Sequence, residues 1–450
     1  MSVILKENIP TANEKPIPPP MCQPPKRTPK FYADDKANYT ILCPQMASIH
    51  FALAKTVFSQ NGYHLEVLPE VNRDAIEEGL RYVNNDACYP AIVVVGQLIQ
   101  ALKSGKYDLN RTALLISQTC GGCRSTNYAT FLKIAVLKAG FGNISVAPFN
   151  VNLSSEPNAE GISMTPAMSQ QLVLAFFIGD LLMRTSNHCR PYEKNAGATE
   201  QLVAAWIERA KPVIAEGKMR DVSKLAPGII ADFEALELVG ENSRPKVGIV
   251  GEILLKYHEG ANNRLIEVIE REGGEAVVPD ILDFALYCLT SDWHRAAYSN
   301  VPMKNYLKST FLVWLVERHR KKIQKRLEKS ERFSAMCGVR HLIKKAETLV
   351  STCNQTGEGW LLAADMVEMM ESGVRNIICV QPFGCLPNHI VGKGLVKELR
   401  NRYSDANISA LDFDPGATEV NQLNRIKLMM AIAVRNQRKK NNADLKNEEK

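Results

Sequence analysis

Ala113-Leu114-Leu115-Ile116-Ser117-Gln118-Thr119-Cys120-Gly121-Gly122-Cys123, followed by a helical Tyr128 to Lys138 and then by Ile144-Ser145-Val146, reads as strand, turn, helix, strand. Two strands joined by one helix imply a right-handed crossover and a parallel sheet. The same alternation recurs on both sides. Tyr39-Thr40-Ile41-Leu42-Cys43 reads as a strand, a helix carries Phe51, Leu53, Ala54 and Val57 on one face, and His64 to Leu68 is the next strand. A second unit opens at Lys246-Val247-Gly248-Ile249-Val250-Gly251-Glu252, continues through a helix near Asn263 to Glu272, and reaches Glu275 to Val278. A third set has a helix from Trp360 to Ser372, strand Asn376 to Val380, a helix from Ile390 to Arg402, strand Ile408 to Leu411 and a helix from Glu419 to Val434. The expected fold class is α/β, with two to three Rossmann- or flavodoxin-like units on parallel sheets and a site between domains.

The chain divides accordingly. Residues 1–38, with Pro18-Pro19-Pro20 and Pro24-Pro25, read as a disordered arm, which takes Cys22 out of consideration. Residues 39–186 form the first α/β domain, 187–245 a mostly helical bridge, 246–435 the C-terminal α/β region, and 436–450 a disordered polar tail. The strongly apolar helix Met168 to Arg184 is expected to be buried.

Composition narrows the class. The 450 residues are 45% hydrophobic and 23% charged, with a net charge of +7. Basic runs at Arg318 to Lys322 and Arg435 to Lys440 have no aromatic interleaving, so nucleic-acid binding is not expected. Lys6-Glu7-Asn8 interrupts the apolar start, and Asp180 interrupts the longest apolar run; neither a signal peptide nor a membrane span is expected. A cytoplasmic setting follows. Eleven cysteines there are read as thiols or metal ligands.

Three cysteine-bearing turns carry the chemistry. They are Asn84-Asn85-Asp86-Ala87-Cys88-Tyr89-Pro90, Gln118 to Arg124, and Gln381-Pro382-Phe383-Gly384-Cys385-Leu386-Pro387. The second and third follow strands, where open parallel sheets bind ligands. Thiols on such turns suit a soft metal centre. Taken alone, Cys120-Gly-Gly-Cys123 is read as cluster ligands, half a zinc site, a redox dithiol or inert thiols. Cys43, Cys288, Cys337 and Cys379 are assigned to the core, while Cys189 and Cys353 on polar turns stay open as metal ligands. Candidate acid–base residues are Glu252 on its glycine turn, His258 near it, and Glu358 between Gly357 and Gly359. No Gly-x-x-x-x-Gly-Lys-Ser/Thr motif is present, so no ATP loop of that type is read.

With Gly251-Glu252-Ile253, Gly357-Glu358-Gly359-Trp360 and Asp414-Pro415-Gly416-Ala417, these turns resemble the 2-hydroxyacyl-CoA dehydratase superfamily. More closely, residues 39 to about 435 resemble the dehydratase-like region of acyl-CoA dehydratase activase-related proteins. The resemblance implies an α/β protein with a [4Fe–4S] cluster held by three cysteines, one iron being left open. It implies an ATP-hydrolysing iron–sulfur activator acting in trans, a second dehydratase-like subunit or a homodimer, and an acyl-CoA or other small-molecule substrate. Cys88, Cys123 and Cys385 match the ligand positions. Cys120 is a departure, because relatives carry Gly there. As a fourth ligand it would close the cluster and favour an electron-transfer or scaffold subunit. A related branch carries a double-cubane cluster and reduces small molecules, and a zinc-stabilised structural protein is the third reading.

Overall fold

The computed structural model describes residues 28–84, 86–118, 122–150, 160–296, 298–417 and 419–448. Cys22 and Cys120 lie outside them. The α/β expectation holds, with two sheet units and not three. Strands β1 (Thr40–Cys43), β2 (His64–Val67), β3 (Thr112–Gln118) and β4 (Ser145–Asn150) form one parallel sheet in the order β2-β1-β3-β4. Strands β5 (Lys246–Gly251), β6 (Glu275–Val277), β7 (Asn376–Pro382) and β8 (Asn407–Phe413) form the second, in the order β6-β5-β7-β8.

The local sequence explains the order. Val247, Ile249 and Val250 of β5 and Ile377 to Val380 of β7 are all buried, as strands covered on both faces must be. β8 alternates buried and partly exposed residues and sits at the edge. In each sheet the chain leaves the first strand toward one side and later crosses to the other. The crevice at that reversal lies between β1 and β3 in one sheet and between β5 and β7 in the other.

Helix Pro166–Cys189 is apolar over most of its length and mostly buried, as its composition predicts. It is the one helix among the described residues long and apolar enough to cross a membrane, yet 67% of its apolar window is buried inside the protein. It runs through the expected boundary at residue 186. The helices Ala198–Glu216 and Val222–Glu234 share one core with it and with the first sheet, so residues 187–245 are a layer of that unit and not a separate bridge. The same core takes in Leu282, Val313, Leu342 and Trp360 from the second half.

Three other expectations are corrected. Residues 28–38 are packed, not part of a free arm: Phe31 is 1% exposed and Lys30 bridges Val146. The last helix runs from Glu419 to Glu448, so residues 436–448 are helical and not a disordered tail. The helix expected from Ile390 to Arg402 is broken into a wide turn at Asn388–Gly392, a tight turn at Lys393–Leu395 and a short helix Val396–Arg402. Helices Arg73–Tyr82, Tyr89–Lys103, Ile281–Arg295 and Val339–Glu347 went unread.

Buried charge joins the halves. Asp180, inside the apolar helix, accepts hydrogen bonds from the backbone N–H of Ile281 (2.7 Å) and Leu282 (3.1 Å), and contacts His50 Nε2 at 2.9 Å. Gly179 makes this possible, because a Cβ there would stand 2.4 Å from the His50 ring. Asp280 accepts from Arg184 (2.8 Å) and Arg320 (3.0 Å), and Asp283 accepts from Arg320 (2.6 Å). The Arg320 side chain is only 2% exposed. Removing one partner of such a network strands the other charges in the interior. Arg320→Leu is therefore expected to lower unfolding free energy by about 3–5 kcal/mol, whereas Arg318→Leu on the exposed side changes it by less than about 0.5 kcal/mol. Urea denaturation of both variants checks this.

Candidate functional site

Two of the three cysteine turns arise at the strand ends flanking the sheet reversals. β3 leads into the turn that carries Cys123, and β7 into the turn that carries Cys385. Cys88 takes a third route, as the N-cap residue of helix Tyr89–Lys103. All three thiols are partly buried. Cys88 senses the charge of Cys385, and Tyr128 senses both Cys88 and Cys123, which puts the three thiols in one neighbourhood, the cleft at the strand ends. Burial raises the Cys88 thiol, and Glu252 and Cys385 raise it further, to about 12; the Tyr128 hydroxyl, 3.3 Å from its Sγ, pulls the other way. Burial likewise pushes the Cys385 thiol to about 12, with Glu358 and Glu252 adding to it. Cys123 sits on the same side: its Sγ lies 4.0 Å from where a Cβ on Gly357 would stand.

Two carboxyls line the floor. Gly251 has φ +135°, and a Cβ there would meet Val380 O at 1.8 Å, so only glycine lets β5 close against β7 and then turn out Glu252. Glu252 Oε2 accepts from Leu255 N–H at 2.9 Å and caps the short helix Ile253–Tyr257. Glu358 Oε1 accepts from Ile253 N–H at 3.0 Å. Burial, then the nearby Glu358, raises Glu252 to about 8; burial also raises Glu358. Burial and the like charge of Glu358 therefore favour the protonated form of Glu252.

Asn388 Nδ2 donates to Cys385 Sγ at 3.3 Å and lies 3.5 Å from Glu358 Oε2. Its Oδ1 is buried without a hydrogen-bond partner among the described residues, as is Tyr287 Oη, which senses both Glu358 and Cys123. Tyr128 and Asn388 went unread in the sequence. Their one signal is position, Tyr128 opening the helix after the Cys123 turn and Asn388 three residues past Cys385.

The other candidates go elsewhere. His258 is 1% exposed, neither ring nitrogen has a partner among the described residues, and burial lowers it to about 4 against the pull of Glu70. It is an interior histidine whose burial favours the neutral ring. Cys353 is exposed, and Cys189 is 0% exposed at the end of the core helix, so the polar turn expected there is absent. Cys43 and Cys379 are buried as expected, while Cys288 and Cys337 are only partly so. None of the nine described cysteines is in a disulfide.

A cavity of about 490 Å³ lies beyond Tyr89, at the ends of β2 and β8, between Glu70, Arg73, Glu259, Arg264 and Asp414. With Glu419 it carries four carboxylates against two guanidiniums, which is no surface for phosphates. No family model matches the chain, and no curated protein matches its sequence.

Backbone N–H groups are aimed at two of the three thiols, Ala91 toward Cys88 and Asn388 toward Cys385. A cationic centre is what would convert such raised thiols to thiolates.

The raised Glu252 has a measurable consequence in the metal-free protein. Its folded pKa of about 8 lies above the ordinary 4.5, so between these values the folded chain binds more protons than the unfolded one. Stability contributed by this group then falls as pH rises through that window. Glu252→Gln is expected to remove the decline, so its stability relative to the parent rises from pH 5 to about 8 in urea titrations. A difference that stays constant with pH would contradict the protonated assignment.

Proposed function

We propose that this chain is an iron–sulfur protein of the 2-hydroxyacyl-CoA dehydratase type, with Cys88, Cys123 and Cys385 as ligands of a [4Fe–4S] cluster. The observation that carries the reading is that three cysteines from three turns far apart in sequence share one neighbourhood beside a buried carboxyl pair. A cluster held by three thiolates keeps one iron open and supplies one-electron chemistry at low potential.

The chain's own residues do the rest. Glu252 keeps a proton at Oε beside the cleft and is the general acid for a departing hydroxyl. Glu358, tied to Ile253 N–H and near Asn388, holds that acid raised through like-charge repulsion. Tyr287 Oη and Asn388 Oδ1 offer a donor and an acceptor to a bound substrate. The acyl-CoA substrate comes from the resemblance; the acidic cavity beyond Tyr89 is not where its phosphates would rest.

The electron is proposed to come from an ATP-hydrolysing iron–sulfur activator in a reducing, cytoplasmic setting. Phe383, Leu386 and Ile390 are 68%, 60% and 54% exposed around the Cys385 turn, an apolar rim of the kind that protein partners cover.

The test is iron and acid-labile sulfide per chain after anaerobic purification, with electron paramagnetic resonance before and after dithionite. About four iron with a reducible signal is expected, and about eight would move the reading to the double-cubane reductase. Cys88→Ala, Cys123→Ala and Cys385→Ala should each lose at least half of the iron, while Cys189→Ala in the core keeps it. Equal iron in all four variants overturns the ligand assignment.

A further inference from the structure

A second set of metal-binding side chains meets away from the cleft. Cys337 lies just before helix Val339–Glu347, His341 is in that helix's first turn, and Glu368 projects from helix Trp360–Glu371. Cys337 Sγ is 2.9 Å from Glu368 Oε1, and His341 Nε2 is 2.6 Å from Glu368 Oε2. The three ligand atoms all lie within 4.8 Å of one another, and they are the one such trio among the described residues. We propose that Cys337, His341 and Glu368 form a zinc site whose fourth position is taken by water.

The donor set selects the ion. One sulfur, one imidazole nitrogen and one carboxylate oxygen match the ligands that Zn²⁺ accepts, and a thiolate with a carboxylate neutralises its two charges. Tetrahedral bonds of about 2.0–2.3 Å separate the ligand atoms by roughly 3.3–3.7 Å, so the two hydrogen-bonded contacts to Glu368 each open by less than about 1 Å to admit the ion. Side-chain rotation is enough for that, because His341 is 47% exposed and Glu368 24% exposed. The exposed His341 side leaves the fourth position to solvent.

The neighbouring charges permit a cation. Lys345, one turn along the helix from His341, is already paired with Glu371. Arg184 and Asp283 both face Cys337, and Arg184 is bonded to Asp280. The ion would clamp helix Val339–Glu347 to the helix that begins two residues after Glu358. The site is independent of the cysteines of the cleft.

Cobalt(II) titration of the full chain, followed by displacement with zinc, tests the proposal. One equivalent with the visible bands of a tetrahedral, thiolate-bound ion is expected. Cys337→Ser and His341→Ala should each weaken uptake by at least about tenfold, the loss seen even when an outer partner of a ligand is removed. The triple variant Cys88→Ala/Cys123→Ala/Cys385→Ala should retain the signal, which separates this site from the cluster. No thiolate band in the folded parent chain, checked by circular dichroism, overturns the proposal. Uptake unchanged in the surface variant His341→Ala does so as well.

Discussion

Two carboxylates at the start of helix Ile281–Arg295 hold the halves of this protein in register. Asp180 reaches across from the first unit's core helix and caps Ile281 and Leu282, while Asp280 gathers Arg184 and Arg320. Burial opposes the charge on Asp280, but the two guanidiniums outweigh it and hold the carboxyl below its usual range. Burial and Asp280 together raise Asp180, which leans on two backbone N–H groups and His50 instead. Neither arrangement survives if the core helix slides or turns, because each acid then loses its partners in a dry interior. Apolar packing of the shared core tolerates small shifts; this network does not. Lys256 and Asp365, each 3% exposed and 3.5 Å apart, add a further buried pair beside the second sheet.

The fixed register is what makes a cleft out of separate turns. Each sheet alone presents a crevice where its strand order reverses, and each crevice has loops suited to binding. Held together, the units let Cys88 sense Cys385 and Glu252, and Tyr128 sense Cys88 and Cys123. The glycine at 251 is the local counterpart of this long-range constraint. It lets β5 lie against β7 up to the residue before Glu252, so the acid is delivered by a strand end and not by a mobile loop.

Strands were legible because those covered on both faces are short continuous apolar runs stopped by Gly, Pro or Asn, as at β5 and β7. Helix Tyr89–Lys103 was not, because Val93-Val94-Val95 within an all-apolar segment hides the helical period. The helical end at residues 436–448 is polar and shows no apolar period to read. The three cysteine turns were visible as local chemistry. Their shared cleft, the buried state of Glu252 and the contact between Asp180 and Ile281, 101 residues apart, depend on tertiary packing that no local pattern records. Cys337 shows the same limit from the other side. Its apolar neighbours suggested core, while the partner that changes its meaning, Glu368, stands 31 residues away.

The proton inventory of the cleft ties these features to chemistry. Without a guest, burial keeps Cys88, Cys385 and Glu252 protonated, so thiols and an acid can crowd together at little electrostatic cost. The interaction is reciprocal: Glu252 raises Cys88 and Cys385, so thiolates at those positions would raise Glu252 in turn. The half-exposed trio at Cys337 obeys a different balance. There Glu368 already accepts from both a thiol and an imidazole, and solvent reaches the histidine. The cleft offers partly buried thiols beside buried carboxyls, whereas the corner at Cys337 offers one sulfur, one nitrogen and one oxygen open to solvent. Donor type and water access, both set by the packing of the two units, are enough to keep the two apart.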